Sequence, residues 1–135
     1  MKVLFVCTAN SCRSQMAEAW ARELFPDWEV CSAGLLTYRI TDKTRSVMSE
    51  VGLDMAGQEP LSIDGVDLNS FDLIVTLSKE AGRYLPALNE PDRHRHRPVD
   101  DPMSFSGSPE ETRTDFRRGR EEIRQIVAAL ANERC

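Results

Sequence analysis

Cys7 and Arg13 stand at the two ends of the segment CTANSCR, and the residues between them, Thr8, Ala9, Asn10, Ser11 and Cys12, are all small or polar. A loop of that length can curl its backbone N–H groups around one tetrahedral oxyanion, the more so where a helix N-terminus follows. The same positive field favours the thiolate of Cys7, which becomes a nucleophile toward the anion bound beside it. Arg13 is suited to clamp two oxygens of that anion in its planar fork and to hold the charge that grows in a transition state. Ser14 follows at once and is expected to donate a hydrogen bond to the Cys7 sulfur, steadying it as attacker and later as leaving group. Asn10 is the loop residue that tolerates a left-handed turn. In a chain with 14 Arg, a cysteine followed six positions later by Arg is by itself a weak pattern, and its bland reading is a buried thiol plus a surface Arg. The weight comes from what flanks it.

Before the loop, Lys2 to Val6 carry the apolar run VLFV, which reads as a strand buried on both faces. After it, Met16, Ala17, Trp20, Ala21 and Leu24 recur at helical spacing from Ser14 to Phe25, and Pro26 stops the pattern. A strand over Trp28 to Ser32 closed by Gly34, and a helix over Thr41 to Val51 with Gly52 past its end, repeat the alternation. Asp54 to Ser70 is polar and long enough for a functional loop. DLIVTL, Asp72 to Leu77, is a third buried strand; Ser78 caps a short helix to about Leu85, ended by Pro86, and a brief last strand is expected near Arg97 to Val99. Ser108, Pro109 and Glu111 form a capping box for a final helix from Pro109 to about Asn132, striped by Phe116, Ile123, Ile126, Val127 and Leu130. Strands alternating with helices predict an α/β three-layer sandwich, a four-stranded parallel sheet flanked by helices, with residues 1–135 as a single domain. The Cys7 loop then lies at the carboxyl end of the first strand, where ligands of such sheets bind.

The 135 residues suffice for one buried core, and no apolar run approaches the roughly 20 residues of a membrane span. MKVLFVC is too short an apolar stretch for a signal peptide, so the expected compartment is the cytoplasm, where the four cysteines would be thiols. A net charge of -5 argues against nucleic-acid binding, while 14 Arg against 3 Lys suits bidentate oxyanion contacts. No membrane partner and no cofactor are expected, and a monomer is.

CTANSCRSQMAE resembles the phosphate loop and first helix of the low-molecular-weight protein tyrosine phosphatase superfamily. CSAGL at 31–35, VGLDMAGQ at 51–58, DLIVTLS at 72–78 and VDDP at 99–102 follow in that family's order, so the resemblance covers nearly the whole chain. It implies the fold just described, a covalent intermediate on Cys7, and a general acid at the Asp preceding Pro in a late loop. That Asp is Asp101 here, with Asp100 as its rival; taken without the family, DDP reads as a turn. A positioned acid for the leaving oxygen contributes about 10² to 10⁴ in rate.

Two reactions share such a loop. SQMAE, VGLDMAGQ and DDP resemble the arsenate reductase branch, and the aromatic residue that ordinary phosphatases place after Asp-Pro is here Met103, then Ser104. Yet Ser78 and Leu85 stand where that branch keeps its relay cysteines, Cys31 falls in a strand expected to be buried, and Cys135 is the last residue. The preferred expectation is therefore a cysteine-dependent phosphomonoester hydrolase acting on phosphotyrosine, in a protein or as a small aryl phosphate. The alternative is an arsenate reductase using an external small thiol or redoxin. A non-catalytic oxyanion-binding protein is the third reading, against which Asp101 argues.

Cys12 is a redox candidate, able to bond reversibly with Cys7 and shield it from over-oxidation, or else a small buried filler. DRHRHRP, Asp92 to Pro98, is a weak metal signal, with two His and no thiol; it reads as a solvated loop that could touch an acidic substrate. Tyr38, Arg39 and Tyr84 are candidates for the pocket mouth or plain surface. Arg117, Arg118, Arg120 and Arg124, alternating with Glu121 and Glu122, predict a solvated helix face with ion pairs along the helix.

Overall fold

In the computed structural model, which describes residues 1–133, the VLFV run is the spine of the sheet. Strand β1 (Lys2–Cys7) pairs in parallel with β2 (Glu29–Gly34) on one side and with β3 (Leu73–Thr76) on the other. β4 (His94–His96) adds to β3, giving four parallel strands in the order β2-β1-β3-β4. Alternate side chains of β1 leave by opposite faces. Val3 and Phe5 enter a core with Met16, Val47, Phe116, Ile123 and Val127, while Leu4 and Val6 join Ile74, Phe71 and Ala81 on the other side. Helices α1 (Arg13–Leu24), α2 (Asp42–Ser49) and α4 (Pro109–Ala129) supply the first core; α3 (Lys79–Tyr84) and the 63–70 segment cover the second. This is the expected three-layer sandwich. Burying a side chain such as Phe5 contributes about 1.5–3 kcal/mol relative to exposure.

The Ser78 and Ser108 capping signals act as read, and Thr41, expected as the first residue of its helix, is its cap. Thr41 and Ser78 accept from the amides of Thr44 and Ala81, and Ser108 and Glu111 form the reciprocal box that starts α4. Three expectations are corrected. β4 lies at His94–His96, ahead of Arg97–Val99, because the ladder registers Ile74, Val75 and Thr76 against the His-Arg-His run. Arg97 and Val99 only extend it, donating backbone N–H bonds of 2.8 and 3.0 Å to Thr76 and Leu77 on either side of Pro98, which has no N–H to give. Within the DRHRHRP run, expected as a solvated loop, His94–His96 is consequently an edge strand, and both His rings hydrogen-bond the Thr76 hydroxyl at 2.7 Å. The α4 arginines also look outward less than predicted. Arg118 does pair along its own helix with Asp115 and Glu122, but Arg117 and Arg120 cross to Glu50, and Arg124 sits over the Trp20 ring. Residue Cys135 lies outside the described residues, among which no helix is long and apolar enough to cross a membrane.

Candidate functional site

β1 delivers Cys7 to the carboxyl edge of the sheet, and α1 starts at Arg13, so residues 8–12 must turn the chain in a small radius. Asn10 takes the left-handed conformation there, with φ of 54°. Gly34, at the end of β2, lets the loop approach: a Cβ on it would stand 2.7 Å from the Asn10 nitrogen and overlap the Leu36 carbonyl. Helix α1 has no side-chain cap and no acid in its first turn. Among the described residues, no backbone N–H from Thr8 to Ser14 donates to a protein acceptor. Unmade donors of this kind, added to the helix dipole, are suited to an anion.

The Cys7 sulfur is buried and lies 2.9 Å from the Ser14 hydroxyl. The direction of that bond follows from its neighbours. Asn10 Nδ2 donates to Ser14 Oγ at 2.7 Å, which leaves the Ser14 proton to point at sulfur. Asn10 Oδ1 in turn accepts from the Leu61 amide at 2.7 Å and from Gln15 Nε2 at 3.0 Å, and Gln58 Nε2 donates to Gln15 Oε1 at 2.8 Å. Donors therefore run in one sense from Gln58 through Gln15, Asn10 and Ser14 to Cys7. Gln15, Gln58 and Leu61 were not among the candidate residues. Their signal was a buried glutamine directly after the loop, since a fully buried amide must find partners, and the 54–70 connection supplies them.

Arg13 is held from below. Its Nη1 donates to the carbonyls of Val99 at 2.8 Å and Leu77 at 3.5 Å, and its Nη2 lies 3.6 Å from Asp101 Oδ2. Asp101 is fixed by its own turn, accepting from Met103 N at 2.9 Å and Ser104 Oγ at 3.2 Å, while Pro102 packs on Gly119 of α4. Asp100 is exposed, and its carbonyl receives Arg118. A cavity of about 270 Å³ opens here, walled by Thr8 and Arg13, by Lys79 and Glu80, and by Pro98 to Asp101 with Ser104. Thr8 donates to Ser78 Oγ at 3.0 Å and to Glu80 Oε2 at 3.3 Å. Ser11 caps the far rim on the Met103 sulfur at 3.4 Å. The cavity brings the Arg13 cation and the Asp101 carboxyl group together beside Thr8, the residue that follows Cys7.

Cys12 is buried. Its thiol is pushed up to about 12, by burial above all, so it stays protonated at neutral pH. Ala9 contributes backbone alone: its carbonyl accepts from Tyr38 N at 3.1 Å. Tyr38 and Tyr84 are both exposed and neither lines the 270 Å³ cavity. Tyr84 lines a neighbouring groove. Cys31 is half-buried on the edge strand β2, less enclosed than predicted, because an edge strand lacks a neighbour on one side.

Residues 2–134 match the family described as low molecular weight phosphotyrosine protein phosphatase. An arsenate reductase of Bacillus subtilis (strain 168) is 40% identical over 122 residues, 90% of this chain and 88% of the relative. One from Staphylococcus aureus (strain Newman) is 38% identical over 126 residues, covering 93% and 92%. Among solved structures, a low molecular weight protein tyrosine phosphatase from T. tengcongensis superposes with a TM-score of 0.81 at 26% identity, covering 98% of this chain and 99% of that one. An arsenate reductase in the oxidized state superposes with a TM-score of 0.80 at 30% identity, covering 98% and 97%.

Proposed function

The chain belongs to the low molecular weight phosphotyrosine protein phosphatase family, and within it we propose that this protein is an arsenate reductase drawing its electrons from an external thiol. The observation that carries this reading is the cavity wall: no aromatic residue lines it, so it offers a small tetrahedral anion its donors but gives a phosphotyrosine ring no face to stack on. Relatives named arsenate reductase support it.

In this mechanism the Cys7 thiolate attacks arsenic, Asp101 protonates the departing oxygen as water, and Arg13 with the loop amides holds the charge that develops. A cysteinyl arsenate results. An external thiolate then attacks the Cys7 sulfur; the S–As bond breaks with its electron pair left on arsenic, which departs as arsenite. A second external thiol resolves the mixed disulfide and restores Cys7. The sum is arsenate plus two thiols giving arsenite, one disulfide and water. An external thiol is our reading because Ser78 and Leu85 stand in place of cysteines and, among the described residues, Cys12 is buried with its thiol held protonated.

Phosphomonoester hydrolysis is the second reading, favoured by Asp101 beside Arg13, where one carboxyl group can protonate a leaving phenolate and then activate water. The purified protein is to be supplied with arsenate plus a panel of thiols and, separately, with p-nitrophenyl phosphate. Thiol-dependent arsenite release, absent in Cys7→Ser, is expected; turnover of the phosphate ester alone would overturn the proposal. Asp101→Asn is expected to slow either reaction by about 10² to 10⁴.

A further inference from the structure

Most cations of this molecule have partners. Arg13, Arg22, Arg93, Arg97, Arg117, Arg118 and Arg120 reach carboxylates, and Lys43 and Arg124 lie over aromatic rings. Lys79 and Arg83, like Arg39 and Arg45, reach no carboxylate or ring among the described residues, but they stand together on one short helix. Their spacing of four on α3 sets two like charges on one helix face, an arrangement that costs stability. The carboxylate between them in sequence, Glu80, turns to the Thr8 hydroxyl on the Cys7 side.

The two cations overlook a groove of about 350 Å³ completed by Tyr84 and His96. His96 is set into it deliberately by the fold. A Cβ on Gly82 would overlap the imidazole, so the glycine opens the helix for the ring. Thr76 engages Nδ1 at 2.7 Å, and Nε2 remains for a ligand. Lys79 and Glu80 line both this groove and the 270 Å³ cavity beside Cys7, so the two spaces share a wall. A small molecule with an anionic end in the groove therefore has its other end within reach of the cavity.

We propose that this groove binds the carboxylate end of the external thiol, so that the protein prefers carboxylated thiols over neutral or cationic ones. The assignment rests on the reading of the protein as a thiol-dependent arsenate reductase. Lys79 and Arg83 supply the charge and His96 Nε2 a directed contact, while the thiol end lies over Cys7.

The test compares mercaptosuccinate, 2-mercaptoethanol and cysteamine as reductants of arsenate, each at matched thiolate concentration. Arg83→Gln is expected to lower kcat/KM for mercaptosuccinate about threefold, the scale of one exposed ion pair, and to leave 2-mercaptoethanol unchanged. Arg83→Lys restores the preference and Arg83→Glu shifts it toward cysteamine. An equal effect on all three thiols, or none, overturns the proposal. A second measurement is independent of arsenate: the rate at which Cys7, followed by mass spectrometry, exchanges with the dicarboxylate 5,5′-dithiobis(2-nitrobenzoate) against the neutral 4,4′-dithiodipyridine. If no thiol supports arsenite release but this ratio still falls in Arg83→Gln, the reductase reading fails and the groove stands. If arsenite is released but neither ratio moves, the groove fails and the reductase reading stands. An Arg83 effect confined to hydrolysis of acidic phosphopeptides also overturns it, giving the groove to a protein substrate.

Discussion

Two polar networks in this molecule use the same kinds of group and differ in where they lie. Behind the Cys7 loop, Gln58, Gln15, Asn10 and Ser14 form a chain of which all but Gln58 is buried, every donor aimed toward the sulfur. On the outer surface, Glu50 of the α2 end receives Arg113, Arg117 and Arg120 from α4. The outer network has the greater formal charge. The inner one matters more, because water competes for an exposed ion pair, whereas a buried amide that loses its partner keeps its full desolvation cost.

Asn10→Ala should break the comparison most severely. It leaves the Leu61 amide without its acceptor, takes one of the three acceptors of Gln15 Nε2, frees Ser14, and asks Ala to hold a φ of 54°. A loss of about 2–4 kcal/mol in chemical denaturation is expected, from an unsatisfied buried donor plus backbone strain. Turnover should fall more than tenfold at full occupancy of the fold, since the sulfur loses its oriented donor. Unaltered turnover in folded Asn10→Ala would mean that Ser14 orients without help.

Gln58→Ala probes the half-exposed end of the same chain. Water can reach the vacated position, so about 1 kcal/mol is expected, with kcat changed by less than in Asn10→Ala.

Of the two histidines on Thr76, His94 is intermediate in burial and tests the same idea through pH. Burial first, then the neighbouring His96 and Arg95 charges, hold His94 below its ordinary 6.5. The unfolded chain then binds more protons in the window just below that value. Stability is complete above about pH 6.5 and declines as pH falls from there toward the depressed folded value. Tm measured from about pH 7.5 down to about pH 5.5 should drop more steeply in the natural protein than in His94→Gln. Parallel slopes would remove His94 from the account.

Glu50→Gln should have the smallest effect. Hydrogen bonds from Arg117 and then Arg120 hold this carboxyl down to about 2, so it is charged through the neutral range. Its exposed pairs are screened, and the small Tm loss expected in dilute buffer should vanish at about 1 M salt, where the Debye length is about 3 Å. A loss as large as that of Asn10→Ala, or one that survives salt, would place surface charge on a par with the buried chain.

Local signals determined a good deal of this protein. The VLFV run, the Ser78 and Ser108 caps and the Pro109 start depend on neighbours within a turn or two, and each stands where expected. Cys7, Asn10, Arg13 and Ser14 were legible for the same reason: a loop closed within seven residues leaves its backbone few choices. Contacts between distant segments were not legible. The His94–His96 strand has no β pattern of its own and exists because β3 offers it an edge. Gln58 and the Leu61 amide meet the loop from more than 40 positions away, and the Lys79–Arg83 groove needs His96 to rise under Gly82. In each case the sequence holds the groups, but their partners are set by how the sheet orders its strands, a property of packing over the whole chain and not of any window in it.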